Sequence, residues 1–115
     1  MGEIQRIWTN EAPTPGFYSQ GVLVGKGFKT LYLAGQTGNI PGVPDEPVAE
    51  GGVSAQTTQT LENLLAIVRK AGGDESSFVK LNVYLKDSPT PEGRKGSRLA
   101  MGEAYKAFFE KHGVP

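Results

Sequence analysis

Apolar and polar positions change period along the chain, and each period predicts an element. Gln20-Gly21-Val22-Leu23-Val24 and Thr30-Leu31-Tyr32-Leu33-Ala34 are short runs rich in strand formers on either side of Gly25-Lys26-Gly27, which predicts a hairpin. Ile4 and Ile7-Trp8 predict a further short strand ahead of it, and Pro13 and Pro15 keep Thr9 to Gly16 extended or turning. From Ser54 the period lengthens. Leu61, Leu64, Leu65 and Val68 follow the i, i+3, i+4, i+7 spacing of one helical face, and Gly72-Gly73 ends the helix. Val79, Leu81, Val83 and Leu85 alternate with Lys80, Asn82, Tyr84 and Lys86, the clearest period-two pattern in the sequence, and predict a strand with one buried face. Pro89 to Gly96 reads as a polar break in a longer loop, Ser88 to Leu99. Beyond it Met101, Ala104, Tyr105, Phe108 and Phe109 mark a second amphipathic helix that Gly113 can end.

Strands, helix, strand, helix is the order of a two-layer α+β domain with both helices on one face of the sheet. A strand followed by a crossover helix ordinarily leads back to a further strand at the sheet edge. Only Val114-Pro115 remain after the second helix, so the pattern predicts one domain, 1–115, that either has carboxy-terminal strands missing from this sequence or is a naturally short chain borrowing that pairing from a neighbour.

Composition narrows the function classes. The 115 residues suffice for one core, and 37% hydrophobic with 21% charged residues suits a globular domain. Twelve basic residues balance twelve acidic ones, so the chain lacks the basic field that nucleic-acid binders use, and no nucleic-acid partner is expected. No cysteine means no disulfide framework, thiolate metal site or thiol nucleophile, and makes the cytoplasm the default compartment. The start of the chain has neither the basic nor the apolar region of a signal peptide, no apolar run is long enough to span a bilayer, and Arg6 stands where a myristoylation motif needs Ser or Thr. No membrane partner is expected.

Chemistry is narrowed further by elimination. His112 is the sole histidine, so neither a His- nor a Cys-rich metal site is expected, and its place in the last turn of the second helix suits a cation at the carbonyl end of the dipole. Gly25-Lys26-Gly27 and Gly93-Arg94-Lys95-Gly96-Ser97 fit no phosphate-binding loop and read as turns. Arg94, Lys95 and Arg98 read as a solvated loop, and Glu103 and Glu110 as the solvated face of the second helix.

The more informative segments are Ala12-Pro13-Thr14-Pro15-Gly16-Phe17-Tyr18-Ser19-Gln20-Gly21 and Leu33-Ala34-Gly35-Gln36. They are followed by Gln56-Thr57-Thr58-Gln59-Thr60-Leu61-Glu62-Asn63-Leu64, by Val79 to Asp87, and by Ala104-Tyr105-Lys106-Ala107-Phe108-Phe109. In this order they resemble the Rid family of reactive-intermediate deaminases, also called the YjgF or endoribonuclease L-PSP family. The resemblance runs from Ala12 to His112, and Asn39 to Gly51 and Ser88 to Leu99 fit it poorly.

The resemblance implies a chorismate-mutase-like α+β fold with a mixed sheet, assembled as a homotrimer with pockets for a small carboxylate-bearing ligand between subunits. It implies cofactor-independent hydrolysis of 2-imino and enamine acids to 2-oxo acids and ammonia. Tyr18 matches the tyrosine of the family pocket and Gly35 the strand-end glycine whose backbone approaches the ligand; these are the two candidate substrate-binding residues. No catalytic residue, metal or cofactor is assigned. Each candidate also has a structural explanation, Tyr18 as a packed interface aromatic and Gly35 as a strand terminator, while Gln20 and Gln36 can serve turn backbones.

Two departures bear on activity. Gly102 falls where the family has an asparagine before the helix-two tyrosine, and the carboxylate-binding arginine and the glutamate of the family's last strands lie past Pro115. Weak or no deamination by residues 1–115 is therefore expected. A non-catalytic ligand-binding protein is the alternative, and a ribonuclease or translation inhibitor the weakest one.

Overall fold

The computed structural model describes residues 4–16, 18–25, 27 and 29–113. Strand β1 (Ile4–Ile7), β2 (Gly21–Val24) and β3 (Thr30–Leu33) form an antiparallel sheet in the order β1-β2-β3. Ile7 pairs with Gly21 and Gly21 with Leu33, while Val24 pairs with both Ile4 and Thr30. The hairpin and the short leading strand thus form as their residues predict.

Helix α1 (Gly52–Lys70) follows, then a 3-10 turn (Glu75–Ser77) and helix α2 (Pro91–Lys111). The apolar stripe of α1 is buried as predicted: Leu61, Leu64, Leu65 and Val68, joined by Ile67. Its carboxy end closes with two bonds, the Gly72 N–H to Arg69 O at 3.0 Å and the Gly73 N–H to Val68 O at 2.9 Å. Gly72 supplies the left-handed residue this closure needs, with φ 96°.

Two apolar clusters lie between the sheet and the helices. Ile67 of α1 meets Ile7 and Ala12, with Leu23, Leu31 and Leu33 of the sheet packed around them. Leu61, Leu64 and Leu65 meet Phe108 and Phe109 of α2, and Leu33, Phe78 and Leu81 pack against that group. Leu33 belongs to both, so both helices lie over the same face of the sheet, the arrangement of an α+β fold.

Two expectations are corrected. Val79–Lys86 forms no ladder: among the described residues no strand lies beside it, and Val79 and Tyr84 are 98% and 90% exposed. Alternation records which side chains could share a face, but a strand exists only where another backbone accepts its hydrogen bonds. Ser88–Leu99 is not a long loop, and Gly93–Ser97 is not a turn, because α2 begins at Pro91. The Thr90 hydroxyl accepts the Gly93 N–H at 3.0 Å, and Pro91 occupies the first helical position, where its missing N–H costs nothing. Arg94, Lys95 and Arg98 are therefore the solvated face of a helix.

Candidate functional site

A surface cleft of about 280 Å³ opens where three segments meet. It is lined by Pro13, Thr14 and Tyr18, by Gly35, Gln36 and Thr37 just past β3, and by Asn39, Asp45 and Glu46. Tyr18 and Gly35, separated in sequence by a whole hairpin, are brought to the same cleft.

Buried amides hold these walls. The Gln20 side chain is fully buried, accepts the Thr9 N–H at 2.6 Å, and donates to Thr9 O at 3.0 Å and Pro13 O at 2.9 Å. Its own backbone O accepts the Ala34 N–H at 2.8 Å, so one residue ties the Thr9–Pro13 segment to the end of β3. Gln20 thus does serve turn backbones.

On the opposite side Asn63 is 1% exposed among the leucines of α1. It donates to Thr37 O at 3.0 Å and Asn39 O at 2.7 Å, and accepts from Gln59 Nε2 at 2.9 Å. Gly38, between those two carbonyls, lies against the helix so closely that a Cβ there would sit 2.9 Å from both Cα and O of Gln56. Only a residue without a side chain fits that approach.

Tyr18 is 57% exposed, so within one chain it is not a core aromatic. Gly35 is exposed, and a Cβ added there meets nothing within 4 Å; the space above it is open. No Lys, Arg or His lines the cleft among the described residues, and two carboxylates do.

Three basic side chains have other tasks. Arg94 donates to Ser88 O at 2.8 Å and lies 3.7 Å from Asp87, at the start of α2. Arg69 pairs with Glu75. His112 ends α2 as expected; its Nδ1 lies 3.3 Å from Glu75 Oε1, and its ring packs on Phe108 with centroids 4.6 Å apart. Gly102 lies exposed within α2 with nothing within 4 Å of an added Cβ. Tyr105, Phe108 and Phe109 stack on one another in the helix layer and do not reach the cleft.

The family profile described as Endoribonuclease L-PSP matches residues 9–115. The chain belongs to the Rid family. Among its Rid relatives, the 2-iminobutanoate/2-iminopropanoate deaminase of Bos taurus is 39% identical over 105 residues, covering 90% of this chain and 68% of the relative. The crystal structure of RidA from an Antarctic Psychrobacter species superposes with a TM-score of 0.73 at 36% identity, covering 90% of this chain and 74% of that one. Escherichia coli TdcF, solved with bound serine, superposes with a TM-score of 0.73 at 26% identity, covering 96% and 78%.

Sequence reasoning missed Asn63, Asn39 and Glu46 as cleft-forming residues. For Asn63 a signal was present: an amide between Leu61 and Leu64 faces the core and must find partners. For Glu46 there was none, because its partner lies across a fold the local pattern does not encode.

Proposed function

We propose that this protein is a cytoplasmic, cofactor-independent hydrolase of 2-imino and enamine acids, with the Tyr18–Gly35 cleft as its substrate site. The convergence of Tyr18 and Gly35 on one cleft, in a chain of the Rid family, is the observation that carries this. Water adds to the imine carbon as the C=N electron pair moves to nitrogen. Proton transfer and loss of ammonia then leave the 2-oxo acid. Within this scheme the Tyr18 hydroxyl is a hydrogen-bonding group at the cleft wall, and the open space over Gly35 admits the planar imino acid against backbone. No described residue is assigned as the base.

The substrate carboxylate needs a cation, and the described lining offers none, so we place that cation outside these cleft segments. We propose a homotrimer in which a neighbouring subunit closes the cleft and completes the site. Ile4, Tyr32 and Trp8, exposed by 62%, 64% and 56%, supply apolar surface for such an assembly.

Ammonia release from freshly generated 2-iminopropanoate, compared with its spontaneous decay, tests this. Residues 1–115 are expected to accelerate it weakly, and a chain extended with the family's arginine-bearing strand strongly. Rapid turnover by residues 1–115, abolished by Arg94→Ala or Arg98→Ala, would overturn the placement of the cation. The acidic lining, with no cation among the described residues, favours a second role, a non-catalytic small-ligand binder. Its signature is 2-oxobutanoate binding with no imine acceleration even in the extended chain. The same lining disfavours a phosphate backbone, and with it a ribonuclease.

A further inference from the structure

The arm from Gly38 to Ala49 belongs to the stretch that fits the family motifs least, yet it is ordered by its own bonds. Asn39 bridges Val48, the Ile40 N–H donates to Pro47 O at 2.8 Å, and the Ala49 N–H donates to Gly38 O at 2.8 Å. Its root is moored on α1 through Asn63. At its tip the Glu46 N–H donates to Val43 O at 3.1 Å, and Asp45 and Glu46 adopt φ of 63° and 38°, left-handed values that non-glycine residues seldom take. The Glu46 backbone O is fixed from within the arm by Asn39 Nδ2 at 2.7 Å. The Glu46 side chain points the other way. Both carboxylate oxygens accept the Thr14 N–H, at 2.8 and 3.1 Å, and among the described residues this is the only hydrogen bond between the arm and the Thr9–Ser19 segment.

We propose that Glu46 is a positioning residue: its carboxylate latches the Thr14 segment across the cleft and so fixes where Tyr18 stands opposite Gly35. The proposal deepens the cleft function given above and rests on it. Polar contacts then run from buried Asn63 to the Asn39 backbone O, from the Asn39 side chain to the Glu46 backbone O, and from the Glu46 carboxylate to the Thr14 amide. The two left-handed residues turn the carboxylate out of the arm toward that amide.

Residues 1–115 carrying Glu46→Ala or Glu46→Gln test this, with amide exchange at Thr14, the Tyr18 ring resonances and 2-oxobutanoate as the binding probe. Glu46→Ala should speed Thr14 exchange by about tenfold, shift the Tyr18 resonances and weaken 2-oxobutanoate binding severalfold, with little change in melting temperature. Glu46→Gln keeps one carbonyl acceptor and should restore most of all three. Unchanged Thr14 exchange in Glu46→Ala overturns the latch. Faster exchange with unchanged Tyr18 resonances overturns the positioning role. If wild type binds no 2-oxobutanoate, the function of the cleft falls, and the latch is then decided by the exchange and the Tyr18 resonances alone.

Discussion

At the scale of single residues, two buried amides do more for the cleft than the residues that face it. Replacing Gln20 by Ala orphans the Thr9 N–H and the carbonyls of Thr9 and Pro13, and each buried group left unsatisfied costs about 1–3 kcal/mol. Gln20→Ala should therefore lower unfolding stability by at least about 2 kcal/mol in a denaturant titration. Tyr18→Phe belongs to the opposite class. The residue is more than half exposed, so stability should hold, while loss of one hydrogen bond of about 1 kcal/mol weakens ligand binding severalfold. Isothermal titration alongside thermal melting separates the two effects. Thermal destabilisation with unchanged affinity would mark Tyr18 as a packing residue.

At the scale of elements, legibility followed the origin of the signal. The hairpin, α1 and the buried face of α2 were visible because periodicity and glycine placement are local. The start of α2 was misplaced because Gly93 and Gly96 looked like turn residues, although Thr90-Pro91 is a helix start in its own right. Val79–Lys86 carried the strongest strand pattern and has no partner strand among the described residues, since pairing is a property of two segments. The 3-10 turn Glu75–Ser77 was not foreseen at all. It is set by Asp74, whose carboxylate accepts from Ser76 N at 2.9 Å and Ser76 Oγ at 2.6 Å and whose own N–H donates to Ser77 Oγ at 3.0 Å. The Ser76 hydroxyl, then the Ser76 amide, holds the Asp74 carboxyl below its ordinary value of 3.8. The Glu75 backbone N–H, then the Arg69 side chain, does the same for Glu75 relative to 4.5. Both carboxyls are lowered in the folded state, so their stabilisation is present above those ordinary values and is lost as pH falls through the lowered ones. Melting temperature measured against pH should decline below pH 4.5, and the decline should be shallower in Asp74→Asn and Glu75→Gln.

At the scale of the whole molecule, the chain is more extended than its length suggests. Its radius of gyration is 15.2 Å against about 13 Å for a compact domain of this size. One sheet face carries exposed Ile4 and Tyr32, and among the described residues Val79–Lys86 has no partner strand, so apolar surface and backbone both remain without cover there. Sedimentation at micromolar protein should report an oligomer, with a trimer as the expected species; a monomer would remove the second wall we assign to the cleft. The cleft itself was only half legible. Tyr18 and Gly35 were found through motif resemblance, whereas Asn39, Asn63 and Glu46 act through contacts between distant segments. The central claim is that the Tyr18–Gly35 cleft is the ligand site. A titration of isotope-labelled protein with 2-oxobutanoate, followed by amide chemical shifts, tests it most directly. The largest shifts should fall at Tyr18, Gly35, Gln36 and Thr37, and Gly35→Ala, whose methyl fills open space and leaves the fold intact, should diminish them. Shifts confined to the Arg94–Arg98 face of α2, or shifts at the cleft that Gly35→Ala leaves unchanged, would contradict it.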